Sequence, residues 1–281
     1  MKKIFKNLGF GLLYAGLFSS CTDDVLTADN KNSTQARAVV EQCVKDKTIA
    51  VGASYKLNNN IWGSGSNGAG NQCVWYDNVS GKWGVNASHS SGTKQDIKGY
   101  PALVRGWLWY NSSGSIWASP TDTSFPVALN KIALFTSNWT VTVPANGEKY
   151  NTSYDIWMDS QSNPNYKAQY EIMVWINYKG PAYLGSDFLP IGPKIASNVT
   201  VAGHVWNIYK GWNGTNNVFT FRRATNTSSV SNLNILALLN YAKNQGFVPA
   251  NYYVLGMQAG FEIVAGGAFR TESYTSTLTK L

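Results

Sequence analysis

Histidine and cysteine are both scarce in this chain, which has two of the former and three of the latter among 281 residues. His89 and His204 are far apart in the sequence, and the cysteines form no cluster. Catalytic zinc sites use three protein ligands, most often His, Cys or an acid. We therefore expect no metal centre, and no motif in the chain indicates a cofactor.

Charged side chains are also sparse, at 14% of the residues, which excludes a coiled coil or a long solvated tail. The net charge is +8, but three of the positive charges, Lys2, Lys3 and Lys6, lie in the first twenty residues. Beyond that segment the basic residues are scattered, and only Arg222 and Arg223 are adjacent. Because nucleic-acid-binding domains carry clustered basic residues, we expect no nucleic-acid partner.

The apolar run from Leu8 to Phe18 is too short to span a bilayer. Following basic residues, it predicts an export signal over residues 1–20. The stretch Leu17-Phe18-Ser19-Ser20-Cys21 resembles a bacterial lipobox, which predicts a lipid anchor on Cys21. We therefore expect an exported protein, lipid-anchored in the bacterial cell envelope or at the cell surface. A plain secretory signal, giving a secreted protein, is the alternative.

Residues 21–41 contain mostly Asp, Asn, Ser, Thr and Ala, with little to bury, so they predict a flexible tether. The remainder, residues 42–281, is long enough for one large domain. In an exported protein the two remaining cysteines, Cys43 and Cys73, most simply form a disulfide.

Aromatic residues are abundant, with 11 Trp and 16 Tyr. Such a content is typical of proteins that stack sugar rings, although large β-sheet cores also use these residues. Beyond Cys43, short apolar or alternating runs are separated by Gly, Asn, Ser and Pro, which predicts an all-β sandwich or jelly roll. The candidate strands are 54–57, 73–76, 102–110, 127–135, 139–143, 154–159, 170–177, 194–201, 204–212, 218–224, 252–262 and 271–278.

One segment, residues 231–246, has apolar residues at helical spacing instead. Ser231 is a suitable N-cap and Gly246 a suitable residue to end the helix. We predict a single α-helix there, packed across the outside of a sheet.

The strand predicted at 170–177 has an unusual composition on one face. Alternation places Glu171, Met173, Trp175 and Asn177 on that face and apolar residues on the other, which is the core side. A carboxylate beside a thioether and an indole is costly unless its charge has a use. This face predicts a binding cleft with Glu171 in it.

Two more acids occupy comparable positions. In the strand predicted at 252–262, Glu262 shares a face with Gln258 and Gly260, and Gly260 leaves room for a close approach to the backbone. In Tyr154-Asp155-Ile156-Trp157, alternation places Asp155 and Trp157 on one face. Three acids on cleft-facing strands favour acid–base chemistry over simple binding.

These motifs resemble glycoside hydrolase family 12, the jelly-roll endoglucanases and xyloglucanases. The similarity lies in Asn59-Asn60-Ile61-Trp62-Gly63, Tyr154-Asp155-Ile156-Trp157 with Asn163-Pro164-Asn165, Tyr170-Glu171-Ile172-Met173-Val174-Trp175 and Gln258-Ala259-Gly260-Phe261-Glu262. Their order and spacing also match, from about Cys43 to Leu278. The resemblance implies two antiparallel sheets with a concave substrate cleft, in a catalytic domain covering residues 42–281.

The resemblance also implies roles for individual residues. Glu171 would be the nucleophile, Glu262 the general acid/base, and Asp155 an assisting acid beside the nucleophile. Asn60 and Trp62 would line a sugar subsite on the glycone side. Met173, Trp175 and Trp157 would line the cleft, and Cys43 with Cys73 would match the family's N-terminal disulfide.

The function implied is that of a retaining, endo-acting β-1,4-glucan hydrolase, a cellulase acting as a monomer on a polysaccharide. A xyloglucan-specific endo-β-1,4-glucanase is the nearest alternative, since the same scaffold serves both. The loop 178–190 looks long and could make room for branched chains. A non-catalytic glycan-binding lipoprotein is the alternative from another class, although a binder has little use for two acids aimed at one bond.

Overall fold

Seventeen β-strands and one α-helix form in the residues that the computed structural model describes, which are 38–90, 96–111, 114–118, 122–145, 149–164, 167–180 and 188–281. The strands are β1 Val39–Gln42, β2 Thr48–Val51, β3 Tyr55–Asn58, β4 Gln72–Asp77, β5 Trp83–Ala87, β6 Ala102–Asn111, β7 Gly114–Trp117, β8 Val127–Ala128, β9 Ile132–Thr142, β10 Lys149–Asp159, β11 Tyr170–Lys179, β12 Lys194–Val201, β13 His204–Trp212, β14 Asn217–Arg223, β15 Ser229–Asn234, β16 Tyr253–Ala265 and β17 Ala268–Lys280. The helix, α1, is Ile235–Asn244.

The strands form two stacked sheets in a β-jelly-roll sandwich, as predicted. The six-stranded sheet has the order β1-β4-β5-β17-β9-β15. The larger sheet has the order β12-β13-β14-β11-β10-β16-β6-β3-β2, with β7 paired to β6 and β8 paired to β16. The pairs are antiparallel except for β11 with β14, which is parallel, so both sheets are predominantly antiparallel, as predicted.

The core lies between the sheets and is rich in aromatic rings. Trp139 of the smaller sheet contacts Tyr154 and Phe261 of the larger one, with ring centroids 4.9 and 5.9 Å apart. All three side chains are fully buried. Part of the high aromatic content therefore belongs to the core, where each buried ring contributes about 1.5–3 kcal/mol of transfer free energy.

The helix is shorter than predicted and has a different N-cap. Residues 229–234, including Ser231, form β15 and pair with β9. Asn234 is the N-cap, and its side chain accepts a hydrogen bond from the Ala237 amide. Strand pairing overrides helical periodicity here, because Val230 and Leu233 reach the core from a strand. The predicted end is confirmed: Gly246 has φ 73° and its amide donates to the Lys243 carbonyl.

The helix also lies elsewhere than predicted. Its buried residues Ile235, Leu238, Leu239 and Ala242 belong to the main core, and it contacts β9 of one sheet and β12 of the other. It therefore closes the core between the two sheets and does not lie on the outside of one.

Two predicted strands, 127–135 and 139–143, are divided differently in the structure. Residues 127–128 form the short β8, a 3₁₀ turn follows at Leu129–Lys131, and β9 then runs unbroken through residues 136–138. That polar stretch resembled a break, but Ser137 donates to the Thr275 carbonyl and Asn138 to the Thr275 hydroxyl of β17. β1, β2, β5 and β7, of four or five residues each, were not predicted, and β15 overlaps the segment predicted as a helix.

The described fold begins inside the predicted tether. Val39–Gln42 pairs with β4, because β-branched Val39 and Val40 suit an edge strand, and the tether prediction to residue 41 is too long. The disulfide between Cys43 and Cys73 is present and links the end of β1 to β4. The predicted signal, Cys21 and most of the tether lie outside the described residues, as do Asn165 and residues 181–187. Within the described part, no helix has the length and apolarity needed to cross a membrane.

Candidate active site

A cleft of ≈ 940 Å³ occupies the face of the larger sheet that points away from the core. All the residues predicted for catalysis or substrate binding line it. They are Asn60, Trp62, Asp155, Trp157, Glu171, Met173, Trp175 and Glu262. The structure therefore brings together side chains that are separated by about 200 positions in the sequence.

The central strand β10 sets the positions of the three acids. It carries Asp155 and pairs with β11 on one side and β16 on the other. Glu171 of β11 lies opposite Trp157, and Glu262 of β16 lies opposite Asn151. Opposite residues in a ladder face the same side of a sheet, so the acids share the cleft face. Asp155 lies between the two glutamates along β10.

Alternation along β11 holds as predicted, with one exception. Ile172, Val174 and Ile176 belong to the core, whereas Glu171, Met173 and Trp175 line the cleft. Asn177 does not follow the pattern, because a register shift between Thr152 and Ser153 of β10 interrupts it. The side chain of Asn177 accepts a hydrogen bond from the core tyrosine Tyr150.

Glu171 is buried, with 8% of its surface exposed. The side-chain amide of Asn213 donates to Glu171 Oε2 over 3.1 Å, and a second hydrogen bond joins Glu171 to Asp155. Burial, with repulsion from Glu262, raises the pKa of Glu171 to about 8, although both hydrogen bonds oppose this shift. These bonds stabilise the carboxylate form in a place that water reaches poorly.

Asp155 is the most enclosed of the three acids. Ser153 Oγ donates to its Oδ1 over 3.2 Å, and buried Tyr100 lies beside it, held by a 3.0 Å hydrogen bond from its hydroxyl to the Ser153 carbonyl. Burial first, then repulsion from Glu171 and Glu262, raises the pKa of Asp155 well above its ordinary value. A protonated Asp155 is thus a hydrogen-bond donor to Glu171.

Glu262 has one amide partner, Asn151 directly across the ladder, whose Nδ2 donates to Glu262 Oε2. Burial raises the pKa of Glu262 to about 7, against the effect of this hydrogen bond. Three mutually repelling acids in one cleft hold fewer than three negative charges at neutral pH. Glu171 accepts hydrogen bonds from two side chains, Asn213 and Asp155, whereas Glu262 accepts one from Asn151. Because the acids share one cleft, ionisation of one of them raises the pKa values of the others.

Gly260, two residues before Glu262, is required by the fold. A Cβ there would lie 2.5 Å from the Pro101 carbonyl oxygen and 2.6 Å from the Ala102 Cβ. The predicted close approach to the backbone exists, and it is made by the neighbouring strand β6.

The aromatic residues of the cleft differ in how accessible they are. Trp175 is buried and stacks on Phe188, with ring centroids 5.3 Å apart, and Trp157 packs against Trp107. Trp62 is 55% exposed, and its backbone amide donates to Asn60 Oδ1 over 3.1 Å. Of the predicted aromatic residues, Trp62 is thus the one with an open ring face for a sugar.

Sequence reasoning missed Asn213, Asn151 and Tyr100, all of which contact or neighbour the acids. Nothing local distinguishes these residues, since each meets an acid only through pairing between distant strands. In the described ranges, the one group of three possible metal ligands is Glu41, Cys43 and Cys73, whose sulfurs are joined in the disulfide.

Comparison with known proteins identifies the family of this chain. The model of glycosyl hydrolase family 12 matches residues 53–279. Endoglucanase S of Pectobacterium parmentieri is 29% identical over 92% of this chain and 90% of its own length. A probable xyloglucan-specific endo-beta-1,4-glucanase A of Aspergillus terreus is 27% identical over 76% of this chain and 77% of its own.

Solved structures of family 12 enzymes have the same fold as this chain. Endoglucanase cel12A from Rhodothermus marinus superposes with a TM-score of 0.73 at 27% identity, covering 86% of this chain and 100% of that one. A native family 12 xyloglucanase from Bacillus licheniformis gives a TM-score of 0.73 at 26% identity over 85% of this chain and 100% of that one. The fold, the cleft acids and these similarities lead to one conclusion: the chain is a glycoside hydrolase and belongs to glycosyl hydrolase family 12.

Proposed function

We propose that the enzyme is a retaining, endo-acting β-1,4-glucan hydrolase that works by double displacement. The observation that carries the proposal is the group formed by Glu171, Asp155 and Glu262 on one cleft face. A retaining mechanism needs one ionised and one protonated carboxyl group beside the same bond. Relatives named endoglucanase and xyloglucan-specific endo-beta-1,4-glucanase support a glucan as the substrate.

In the first step, the Glu171 carboxylate attacks the anomeric carbon while Glu262 donates its proton to the departing glycosidic oxygen. This forms a glycosyl ester on Glu171 and releases the aglycone part of the chain. In the second step, Glu262, now ionised, takes a proton from water as the water attacks the same carbon. Glu171 leaves as a carboxylate, and Glu262 is protonated again.

The neighbouring residues fit these roles. Asn213 and protonated Asp155 donate to Glu171 and orient its attacking oxygen. Because both hydrogen bonds favour the carboxylate, they also help it to leave in the second step. Asn151 fixes Glu262, whose raised pKa keeps a proton available near neutral pH. Trp62, with its open ring, would stack on a sugar bound in the glycone half of the cleft.

Xyloglucan is the second candidate substrate, because several relatives are named xyloglucan-specific and one solved neighbour is a xyloglucanase. Its xylosyl branches need space beside the backbone sugars. The large volume of the cleft is compatible with such branches, and the open position of Trp62 leaves room near one subsite.

A substrate panel tests this proposal. We expect reducing ends to be released from carboxymethylcellulose, barley β-glucan or xyloglucan, with a rapid fall in viscosity because cleavage is internal. An at least tenfold preference for xyloglucan would select the second candidate. Binding of these polymers without any product on prolonged incubation would instead favour a non-catalytic glycan-binding protein.

We further propose that the enzyme is exported and acts as a monomer, anchored by a lipid on Cys21 of its lipobox-like segment. The disulfide between Cys43 and Cys73 supports export, since such bonds persist in oxidising compartments.

Cell fractionation tests the anchor. The full-length protein should sediment with membranes, Cys21→Ala should appear in the soluble fraction, and Ser33→Ala in the predicted tether should behave as the full-length protein does. Membrane association of Cys21→Ala equal to that of the full-length protein would rule out this anchor.

A further inference from the structure

His89 is a buried histidine that the proposed mechanism does not use. It follows β5, and the Gly70 amide donates to its Nδ1 over 2.9 Å, so this nitrogen carries no proton. In the neutral ring the proton is then on Nε2, which lies 3.1 Å from Gln72 Oε1 and donates to it. The contacts of His89 therefore select one tautomer of the neutral ring.

Gln72 connects His89 to the segment that precedes Trp62. Gln72 Nε2 donates to Asn59 Oδ1 over 2.9 Å and to the Asn60 carbonyl over 3.1 Å. Asn59 Nδ2 in turn donates to the Gln72 carbonyl over 3.1 Å. Because backbone carbonyls can only accept, these contacts fix the orientation of both amides. His89, Gln72 and Asn59 are all buried, and together they form a polar network, the His89 network.

The His89 network holds the backbone from which Trp62 extends. The Asn60 carbonyl accepts from Gln72 and also from the Tyr100 amide, over 3.1 Å in each case. Asn60 Oδ1 accepts from the Trp62 amide, and both residues line the cleft. Since Trp62 is 55% exposed, packing does little to fix its ring. The position of the indole therefore depends on the backbone that this network holds.

Protonation of His89 would break this arrangement. A charged imidazole carries a proton on both nitrogens, so Nδ1 would point a proton at the Gly70 amide proton, and a buried hydrogen bond would be lost. Burial first, then repulsion from Lys98, lowers the pKa of His89. The ring is therefore neutral at neutral pH and becomes charged only in more acidic solution.

We propose that His89 is a positioning residue for the glycone subsite, which holds Trp62 against the bound sugar through Gln72 and Asn60. This inference rests on the proposed function. The His89 network lies behind the sugar-binding segment and does not include Glu171 or Glu262. Its loss should therefore weaken substrate binding and leave the chemical step nearly unchanged.

A double-mutant cycle on cellopentaose hydrolysis tests this role. At pH 7, His89→Leu, which neither donates nor accepts, should raise KM about fivefold and change kcat less than twofold. Trp62→Ala should raise KM at least as much. In the Trp62→Ala background, His89→Leu should raise KM no further, because the two residues act through one contact. His204→Gln, which changes the chain's other histidine on β13, is the control and should leave KM unchanged.

The pH dependence of KM tests the tautomer. In the wild type, KM for cellopentaose should rise about threefold between pH 7 and pH 4.5. His89→Gln keeps a donor near the Nε2 position and does not titrate, so it should have the wild-type KM at pH 7 and lose most of this rise. Asp46, whose carboxylate accepts from the Ile61 amide, also titrates in acid, and its contribution should remain in the variant.

Additive increases of KM in the double variant, or an equal rise in acid in His89→Gln, would overturn the proposal while leaving the proposed function intact. A loss confined to kcat would also overturn it. If His89→Leu does not fold, the comparison of wild type with His89→Gln decides. A wild-type enzyme that cleaves no glucan would instead refute the proposed function.

Discussion

Glu171→Ala is expected to lower kcat on β-glucan by roughly 10⁴- to 10⁶-fold, the scale seen when a covalent nucleophile is removed. The physical reason is that Glu262 can still protonate the glycosidic oxygen, but no carboxylate remains to attack the anomeric carbon. The loss should appear in both kcat and kcat/KM, measured by release of reducing ends.

Added azide provides a further test of Glu171 as the nucleophile. The space left by the deleted carboxylate would admit azide, which attacks from the same face as Glu171 did. Activity on an aryl cellobioside should partly recover and yield the α-glycosyl azide, the product of a single displacement. Retention of most activity, or a β-glycosyl azide, would contradict the assignment of Glu171 as nucleophile.

Measurements of thermal stability separate the loss of catalysis in Glu171 variants from misfolding. Burial raises the pKa of Glu171 from 4.5 to about 8 in the folded state, so its ionisation destabilises the fold as the pH rises through that interval. Glu171→Gln should therefore melt at a higher temperature than wild type at pH 8, with a smaller difference at pH 4. Glu272→Gln is the control for loss of a carboxylate outside the cleft, because Glu272 lies on β17 in ion pairs with Lys82 and Arg270. It should keep full activity.

Glu262→Gln is expected to lower kcat on glucans by about 10²- to 10⁴-fold, the range for loss of a general acid–base group. The loss should shrink strongly for an aryl cellobioside with an activated leaving group, because that group departs without a proton. Azide should then yield the β-glycosyl azide, by attack on the glycosyl ester. These product and leaving-group patterns differ from those of Glu171→Ala, so the two roles can be told apart.

The pH dependence of activity is a second test of Glu262 as the general acid. Burial raises the pKa of Glu262 to about 7, so wild-type activity on glucans should fall as the pH rises above neutral and the acid loses its proton. In Glu262→Gln this alkaline decline should disappear. An unchanged decline in the variant, or an equal loss for good and poor leaving groups, would assign the acid role to another residue.

The placement of the main acids could be predicted from the sequence because it depends on local alternation. In β11 and β16, the core faces are apolar, so Glu171 and Glu262 must face the other way. The partners of these acids could not be predicted, since Asn151 meets Glu262 only through the register of β10 with β16. Asn213 reaches Glu171 because β14 pairs in parallel with β11, a pairing that no local pattern shows.

The predictions for Asn177 and Ser231 are wrong because of pairing between distant strands. Asn177 leaves the cleft face because a register shift interrupts the alternation of β11. Ser231 lies in a strand because β9 offers an edge to pair with, although the apolar spacing of that segment suits a helix. In each case a contact between distant segments outweighs a local preference.

The stereochemistry of the first product tests the central claim most directly. Proton NMR during the first minutes of cellopentaose hydrolysis should show the β-anomer of the new reducing end, with the α-anomer appearing later by mutarotation. Retention of this kind requires two successive inversions at the anomeric carbon, as attack by Glu171 and then by water provides. Appearance of the α-anomer first would mean that water attacks directly, and would contradict a glycosyl ester on Glu171.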